Sequence, residues 1–193
     1  VATLRDKRTS TADFRRVISE ISMLLAHDAL SGVKVKACRI LTPLGPCRAV
    51  KLSQDIIFVA ILRAGLGMLD GLMKVHPEAR LAHIGIYRDE ATLKPVKYYV
   101  RLPDKIRNSL VVLVDPMLAT GGSAAEALEI LKARGAKDLR FMALIGARKG
   151  VRRLAAAHPD VPIYIGAVDG KLNENGYIVP GLGDAGDRMF GTN

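Results

Sequence analysis

Residues 115–123, Asp-Pro-Met-Leu-Ala-Thr-Gly-Gly-Ser, carry the most suggestive chemistry in this chain of 193 residues. They follow the apolar run "SLVVLV" and lead into an alanine-rich helical pattern. A strand that ends in an acid, then a loop of small residues, then a helix start suits a phosphate cradle. Consecutive backbone N–H groups at a helix N-terminus converge into an anion nest there. Asp115, Pro116, Met117, Leu118, Ala119, Thr120, Gly121, Gly122 and Ser123 would form it, with the Thr120 and Ser123 hydroxyls as added donors. The loop lacks the Lys-Ser/Thr pair of a nucleotide P-loop, which favours a terminal monophosphate. Asp115 would repel such a phosphate and fits better beside sugar hydroxyls. A turn or helix-cap role for Asp115 is the plainer alternative.

Two further loops are candidates. "RAGLGM" at 63–68 sets Arg63 at the end of the run "IIFVAIL", with two glycines that let the backbone approach a ligand. A tight strand-to-helix turn with Arg63 in solvent explains the same residues. The run "NENGYIVPGLGDAGDRMFGT", 173–192, has four glycines between 176 and 186 and apolar anchors at Ile178, Val179 and Leu182. A rigid glycine-rich loop can present N–H and C=O groups to a flat polar base; a docked C-terminal segment is the alternative. His27, His76, His83 and His158 fall in no metal-ligand spacing, and no Ser/His/Asp or Cys/His arrangement is present.

The elements that must position these loops read as follows. Residues 10–30 form an amphipathic helix, with Ser10 and Asp13 as a capping-box-like start and Phe14, Ile18, Ile21 and Leu25 on one face. The stretch 33–52 alternates around "TPLGP" and reads as a β-hairpin arm. Beyond it come the short apolar runs "DIIFVAIL", "AHIGIYR", "SLVVLVD", "LRFMALIG" and "VPIYIGAV". Strands apolar on both faces belong to a parallel sheet covered by helices, and helical patterns at 66–75, 123–134 and 149–157 lie between them. The expected fold is α/β: an open, doubly wound, mostly parallel sheet flanked by helices. In such sheets ligands bind at the carboxyl ends of the strands. The polar segment 88–104 is too long for a tight crossover and suggests an exposed hairpin flap.

Composition narrows the function classes. There are 29 basic and 19 acidic residues, for a net charge of +10. That attracts anions, but the charges are scattered in groups such as "RR" at 15–16 and "RKGVRR" at 148–153, without a nucleic-acid-binding signature. No apolar run reaches the ~18 residues of a membrane span, and "VATLRDKRTS" has no signal-peptide core. Cys38 and Cys47 fit unpaired thiols in a reducing cytoplasm.

Together "ILRAGLGM", "YRDEATLKPVKYY", "VVLVDPMLATGGSA" and "LNENGYIVPGLGDAGDRMFGT" resemble the type I phosphoribosyltransferases, and among them the uracil phosphoribosyltransferase family. The segments occur in that family's order, and the resemblance covers essentially the whole chain. Asp-Pro at 115–116, where other type I relatives carry two acids, is similar to the uracil enzymes. The resemblance implies a single domain over 1–193 with the hairpin arm, a flap at 88–104 and a base-binding hood at 171–193. It implies that uracil and 5-phosphoribosyl 1-pyrophosphate (PRPP) give UMP and diphosphate. Arg63 and Arg88 would hold pyrophosphate, and residues 115–123 the ribose and 5-phosphate. Ile178, Gly183, Asp184 and Ala185 would read uracil. Asp184 would also face the donor, with Mg²⁺ arriving on PRPP. A homodimer or larger homo-oligomer, with a nucleotide effector such as GTP, belongs to the same expectation. Two alternatives stand beside it: a regulator of this fold that binds nucleotide and RNA, and a catalytically silent partner subunit. One departure is "ARKG" at 147–150, where the family shows "APEG", with surface or regulatory consequences expected. The chain also starts later than many members.

Overall fold

A computed structural model describes residues 1–88 and 95–192, the side chains of Arg88 and Pro95 excepted. A short helix α1 (Ala2–Arg5) precedes α2 (Thr11–Ala29). Ser10 caps α2: its Oγ accepts from the Asp13 N–H at 3.1 Å and donates to the Asp13 carboxylate at 2.9 Å. Phe14, Val17, Ile18 and Ala26 are buried along one face. The hairpin follows, β1 (Val35–Thr42) antiparallel to β2 (Gly45–Leu52), with Val35 opposite Leu52 and Thr42 opposite Gly45. Cys38 pairs with Ala49 and Cys47 with Ile40, so the two thiols are offset along the ladder and both are free. Leu41, Leu44 and Val50 of this arm are exposed.

The apolar runs become one sheet. In chain order come β3 (Ile56–Leu62), α3 (Leu66–Val75), β4 (Arg80–Arg88), β5 (Pro95–Arg101), a 3-10 turn at Asp104–Asn108, β6 (Leu110–Val114) and β7 (Met117–Leu118). Then follow α4 (Gly122–Ala133), β8 (Asp138–Ala147), α5 (Arg148–Ala157) and β9 (Ile163–Asp169). The order across the sheet is β5-β4-β3-β6-β8, with β9 on the far side of β8 and β7 continuing β6 along β8. All pairings are parallel except β4 with β5. Phe58 and Ala60 of β3 and Val112 and Val114 of β6 pack with α2 and α3. Their sequence neighbours Ile57, Val59, Val111 and Leu113 pack with α4 and α5. Each strand buries both faces, which is why its sequence is apolar without alternation.

The chain leaves β3 for β4 in one direction and β6 for β8 in the other. Adjacent loops that diverge in this way open a crevice at the carboxyl ends of their strands. Both loops singled out above, 63–68 and 115–123, sit there. The tip of the expected flap at 88–104 lies outside the described residues, while β4 and β5 on either side pair antiparallel from His83/Arg101 to Arg88/Pro95.

The C-terminal segment is more ordered than its glycines suggest. A two-rung ladder joins β10 (Lys171–Leu172) to β11 (Ile178–Val179), and a helix α6 (Ala185–Phe190) follows. Ile178 and Leu182 are buried anchors, as expected, whereas Val179 is exposed. Helix α6 has no sequence periodicity to announce it, being six residues with a glycine inside. It forms because the Asp184 carboxylate caps the Asp187 N–H at 2.9 Å and Met189 is buried. Among the described residues no helix is long and apolar enough to cross a membrane.

Candidate active site

The loop after β6 is fixed to β8 at its start. The Asp115 N–H donates to the Met142 carbonyl at 3.1 Å, and the Pro116 carbonyl accepts from Leu144 N and Ile145 N at 3.2 and 3.0 Å. Pro116 thus ties the base of the loop to β8 and is absent from the cleft lining. Asp115 turns back on itself, its Oδ1 accepting from the Met117 N–H at 3.2 Å. Gly121 begins α4 with φ 80°, a left-handed conformation that favours glycine, and no side chain caps the helix. The Gly122 N–H makes only a long 3.5 Å contact with Thr120 Oγ1, so the start of α4 keeps donors for an anion.

Asp115 and residues 117–124 form one wall of a cavity of about 210 Å³. The opposite wall is Gly176, Tyr177, Ile178 and residues 183–186. A second cavity of about 230 Å³ adjoins it, lined by Ile61, Leu62, Arg63, Ala64, Ile86, Asp115, Ser123, Asp184 and Gly186. Asp115, Ser123 and Asp184 border both, so the two volumes form one bent cleft with two carboxylates at the bend. Burial pushes the Asp115 carboxyl up to about 7, against a smaller opposing effect of the Met117 N–H.

Arg63 enters the second volume from the end of β3. The Leu62–Arg63 peptide is cis, and the turn is closed by Gly65 N donating to Ile61 O at 2.9 Å and Leu66 N to Arg63 O at 3.1 Å. Its guanidinium rests 3.3 Å from the Asp187 carboxylate and over the Phe190 ring, 5.7 Å from the centroid. Both partners belong to α6, so the C-terminal helix meets the β3 loop across the cleft.

The hood is held by residues that the sequence did not mark. Arg5 pairs with both Asp169 oxygens at 2.8 and 2.7 Å and donates to the Gly181 carbonyl at 3.2 Å. The Gly181 N–H donates back to Asp169 at 3.0 Å. The Arg5 guanidinium holds the Asp169 carboxyl below the usual carboxylate range. Arg188 donates to the carbonyls of Leu4, Asp6 and Leu182 and stacks over Phe14 at 4.3 Å. The contacts of Arg5 with Asp169 and Gly181 and of Arg188 with Leu4 and Asp6 span more than 160 positions, and no local pattern encodes them.

Of the expected residues, Asp115, residues 117–123, Ile178, Gly183, Asp184 and Ala185 meet in the first cavity and Arg63 in the second. Arg88 ends β4, two residues beyond Ile86, and its side chain lies outside the described residues. Tyr177, Ala64 and Gly186 line the cleft without having been expected there.

A switch-point cleft between a small-residue loop and an arginine at the next strand end agrees with the phosphoribosyltransferase class. The fold agrees: a hypoxanthine phosphoribosyltransferase from Trypanosoma cruzi superimposes with a TM-score of 0.52 at 16% identity, over 84% of this chain and 71% of its own. Closer in sequence is the AQ2163 protein of Aquifex aeolicus, with TM-score 0.94 and 38% identity over 98% of this chain and 91% of that one. The profile of the uracil phosphoribosyltransferase family matches residues 1–192. The uracil phosphoribosyltransferase of Pediococcus pentosaceus is 54% identical over 98% of this chain and 91% of its own length. That of Clostridium perfringens is 51% identical over 100% and 92%. The chain belongs to the uracil phosphoribosyltransferase family and is a pentosyltransferase.

Proposed function

We propose that this cleft joins uracil to PRPP, giving UMP and diphosphate, and that its two volumes divide the substrates. The observation that carries the reading is the shared border of Asp115, Ser123 and Asp184 between them. A sugar placed at that bend reaches the nest with its 5-phosphate, the hood with its anomeric carbon's new partner, and Arg63 with its leaving group. Residues 117–123 hold the 5-phosphate through N–H and hydroxyl donors, and Asp115 accepts from the ribose hydroxyls. Uracil lies against Tyr177 and Ile178, where backbone groups of 183–185 read its imide edge. Arg63, with Arg88, holds the pyrophosphate.

Bond breaking at the anomeric carbon builds positive charge on the ribose and negative charge on the departing diphosphate. Fixed cations and donors that meet the second, with the nucleophilic nitrogen held in line, lower the barrier. Mg²⁺ suits this site as a companion of the donor: it prefers phosphate oxygens, waters and few protein ligands. Asp115 and Asp184 supply two carboxylates at the bend, while among the described residues no three His, Cys, Asp or Glu side chains gather. When bound, the ion neutralises pyrophosphate charge, and Asp184 is the residue placed to hold it through water.

Leu41, Leu44 and Val50 on the projecting hairpin support a homodimer or larger assembly through the arm. The free thiols support a cytoplasmic setting. UMP formation from uracil and PRPP with Mg²⁺ tests the reading, with orotate, cytosine and hypoxanthine as controls. Turnover of hypoxanthine in place of uracil would overturn the base assignment.

A further inference from the structure

The segment "RKGVRR" has no part in the cleft lining, yet it touches the back of the phosphate loop. Gly150, buried in the first turn of α5, leaves no room for a side chain. A Cβ there would overlap the Ala119 carbonyl oxygen and lie 2.9 Å from the Leu118 carbonyl oxygen. The contact is reciprocal: a Cβ on Gly121 would lie 2.9 Å from the Gly150 carbonyl oxygen. One turn along α5, the exposed Arg153 donates from Nη1 to the Thr120 carbonyl at 3.4 Å. The carbonyls of Ala119 and Thr120 therefore face α5. In a trans peptide the N–H points opposite to its carbonyl, so the N–H groups of Thr120 and Gly121 face the cavity that both residues line. A flipped peptide would present a lone pair to the anion instead of a donor.

We propose that α5 is the seat that fixes the peptide planes of the phosphate loop, with Gly150 and Arg153 as positioning residues for binding the 5-phosphate of the donor. The proposal rests on the reading of 115–123 as the phosphoribosyl loop. Gly150 allows the close backbone approach, and Arg153 neutralises the carbonyl that would otherwise turn inward. This gives the glycine of "ARKG" and Arg153 beyond it a specific task within the reaction.

The test measures kcat, the two KM values, melting temperature, and inhibition by ribose 5-phosphate and by pyrophosphate in Arg153→Ala, Arg153→Lys, Gly150→Ala and Thr120→Ala. Arg153→Ala should weaken PRPP and ribose 5-phosphate by about fivefold, the equivalent of one ordinary hydrogen bond. Pyrophosphate inhibition, the KM for uracil and the melting temperature should stay unchanged, and Arg153→Lys should restore most of the loss. Gly150→Ala should lose about tenfold or more in ribose 5-phosphate affinity; if it fails to fold, the Arg153 pair decides. Unchanged ribose 5-phosphate affinity in Arg153→Ala, or a loss shared equally by pyrophosphate and uracil, would overturn the proposal. Thr120→Ala separates the two ideas. If it weakens ribose 5-phosphate while the α5 variants do not, only the seat is wrong. If it has no effect either, the phosphate-loop reading fails and the seat fails with it.

Discussion

Asp115 is the residue where burial and chemistry conflict most clearly. Burial pushes its carboxyl up to about 7 from an ordinary 3.8, with only the Met117 N–H in opposition. That gap of about three pH units corresponds to ~4 kcal/mol. Below about pH 4 the group is protonated in both folded and unfolded chains and adds no pH dependence. Between about pH 4 and 7 the unfolded chain ionises while the folded chain keeps its proton, so folding stability falls as pH rises. Above 7 the full cost is in place. Asp115→Asn keeps the shape and removes the charge. The variant should lie within about 1 kcal/mol of the wild type in urea denaturation at pH 4.5 and exceed it at pH 8 by about 2–4 kcal/mol, a midpoint shift of roughly 1–2 M. Comparing the two proteins cancels every other titrating group.

The same conflict predicts a proton coupled to substrate. Ribose hydroxyls donating to Asp115 favour its ionised form. Binding of PRPP near pH 6 should then release about one proton in the wild type and none in Asp115→Asn, measured by calorimetry in buffers of different ionisation heat. The wild-type kcat/KM for the donor should show an acid limb near pH 7, because that ratio reports the free enzyme. If Asp115→Asn is less stable than the wild type at pH 8, the carboxylate is already satisfied and this reasoning is wrong.

Other residues give sharper single tests. Asp184→Asn retains a good N-cap for α6 while losing the charge, so turnover should drop more than about tenfold with thermal stability nearly unchanged; equal loss of both would make Asp184 structural. Asp187→Asn removes the carboxylate that holds Arg63, and pyrophosphate should inhibit the variant about two- to fivefold more tightly; weaker inhibition would mean that Asp187 orients Arg63 for the anion. Asp169→Asn breaks the clamp with Arg5 and should cost about 1–3 kcal/mol in urea at pH 7 and raise the KM for uracil. Because Arg5 depresses the Asp169 carboxyl, that stabilisation is present above the unfolded range near pH 4 and is lost on further acidification. The gap between wild type and variant should therefore close below about pH 4.

Much of the fold was legible because its signals are local. Helix α3 starts and ends where its pattern does, α4 is shifted by one residue at both ends, α5 starts one residue early, and the five apolar runs all became strands of the sheet. Ser10 capped α2 as its spacing suggested, and the helix Thr11–Ala29 with its cap residues Ser10 and Leu30 fills the expected 10–30. Helix α6 could not be read, since its cap at Asp184 matters only once Met189 and Ile178 have a core to enter.

The sequence by itself determined which residues can do chemistry: a nest of small residues behind an acid, an arginine at a strand end, and a hood rich in glycine. Those assignments follow from backbone geometry and side-chain chemistry within a few residues of one another. The tertiary structure alone decided how they meet. Strand order sets the loops of β3 and β6 side by side, although they lie about fifty residues apart in the chain. Arg5 and Asp169 pin the hood from opposite ends of the sequence. Gly150 reaches the phosphate loop from a different helix because two backbones touch there, and such a contact leaves no trace in spacing or periodicity. Burial of Asp115 is what raises its carboxyl, and that burial exists only in the folded chain.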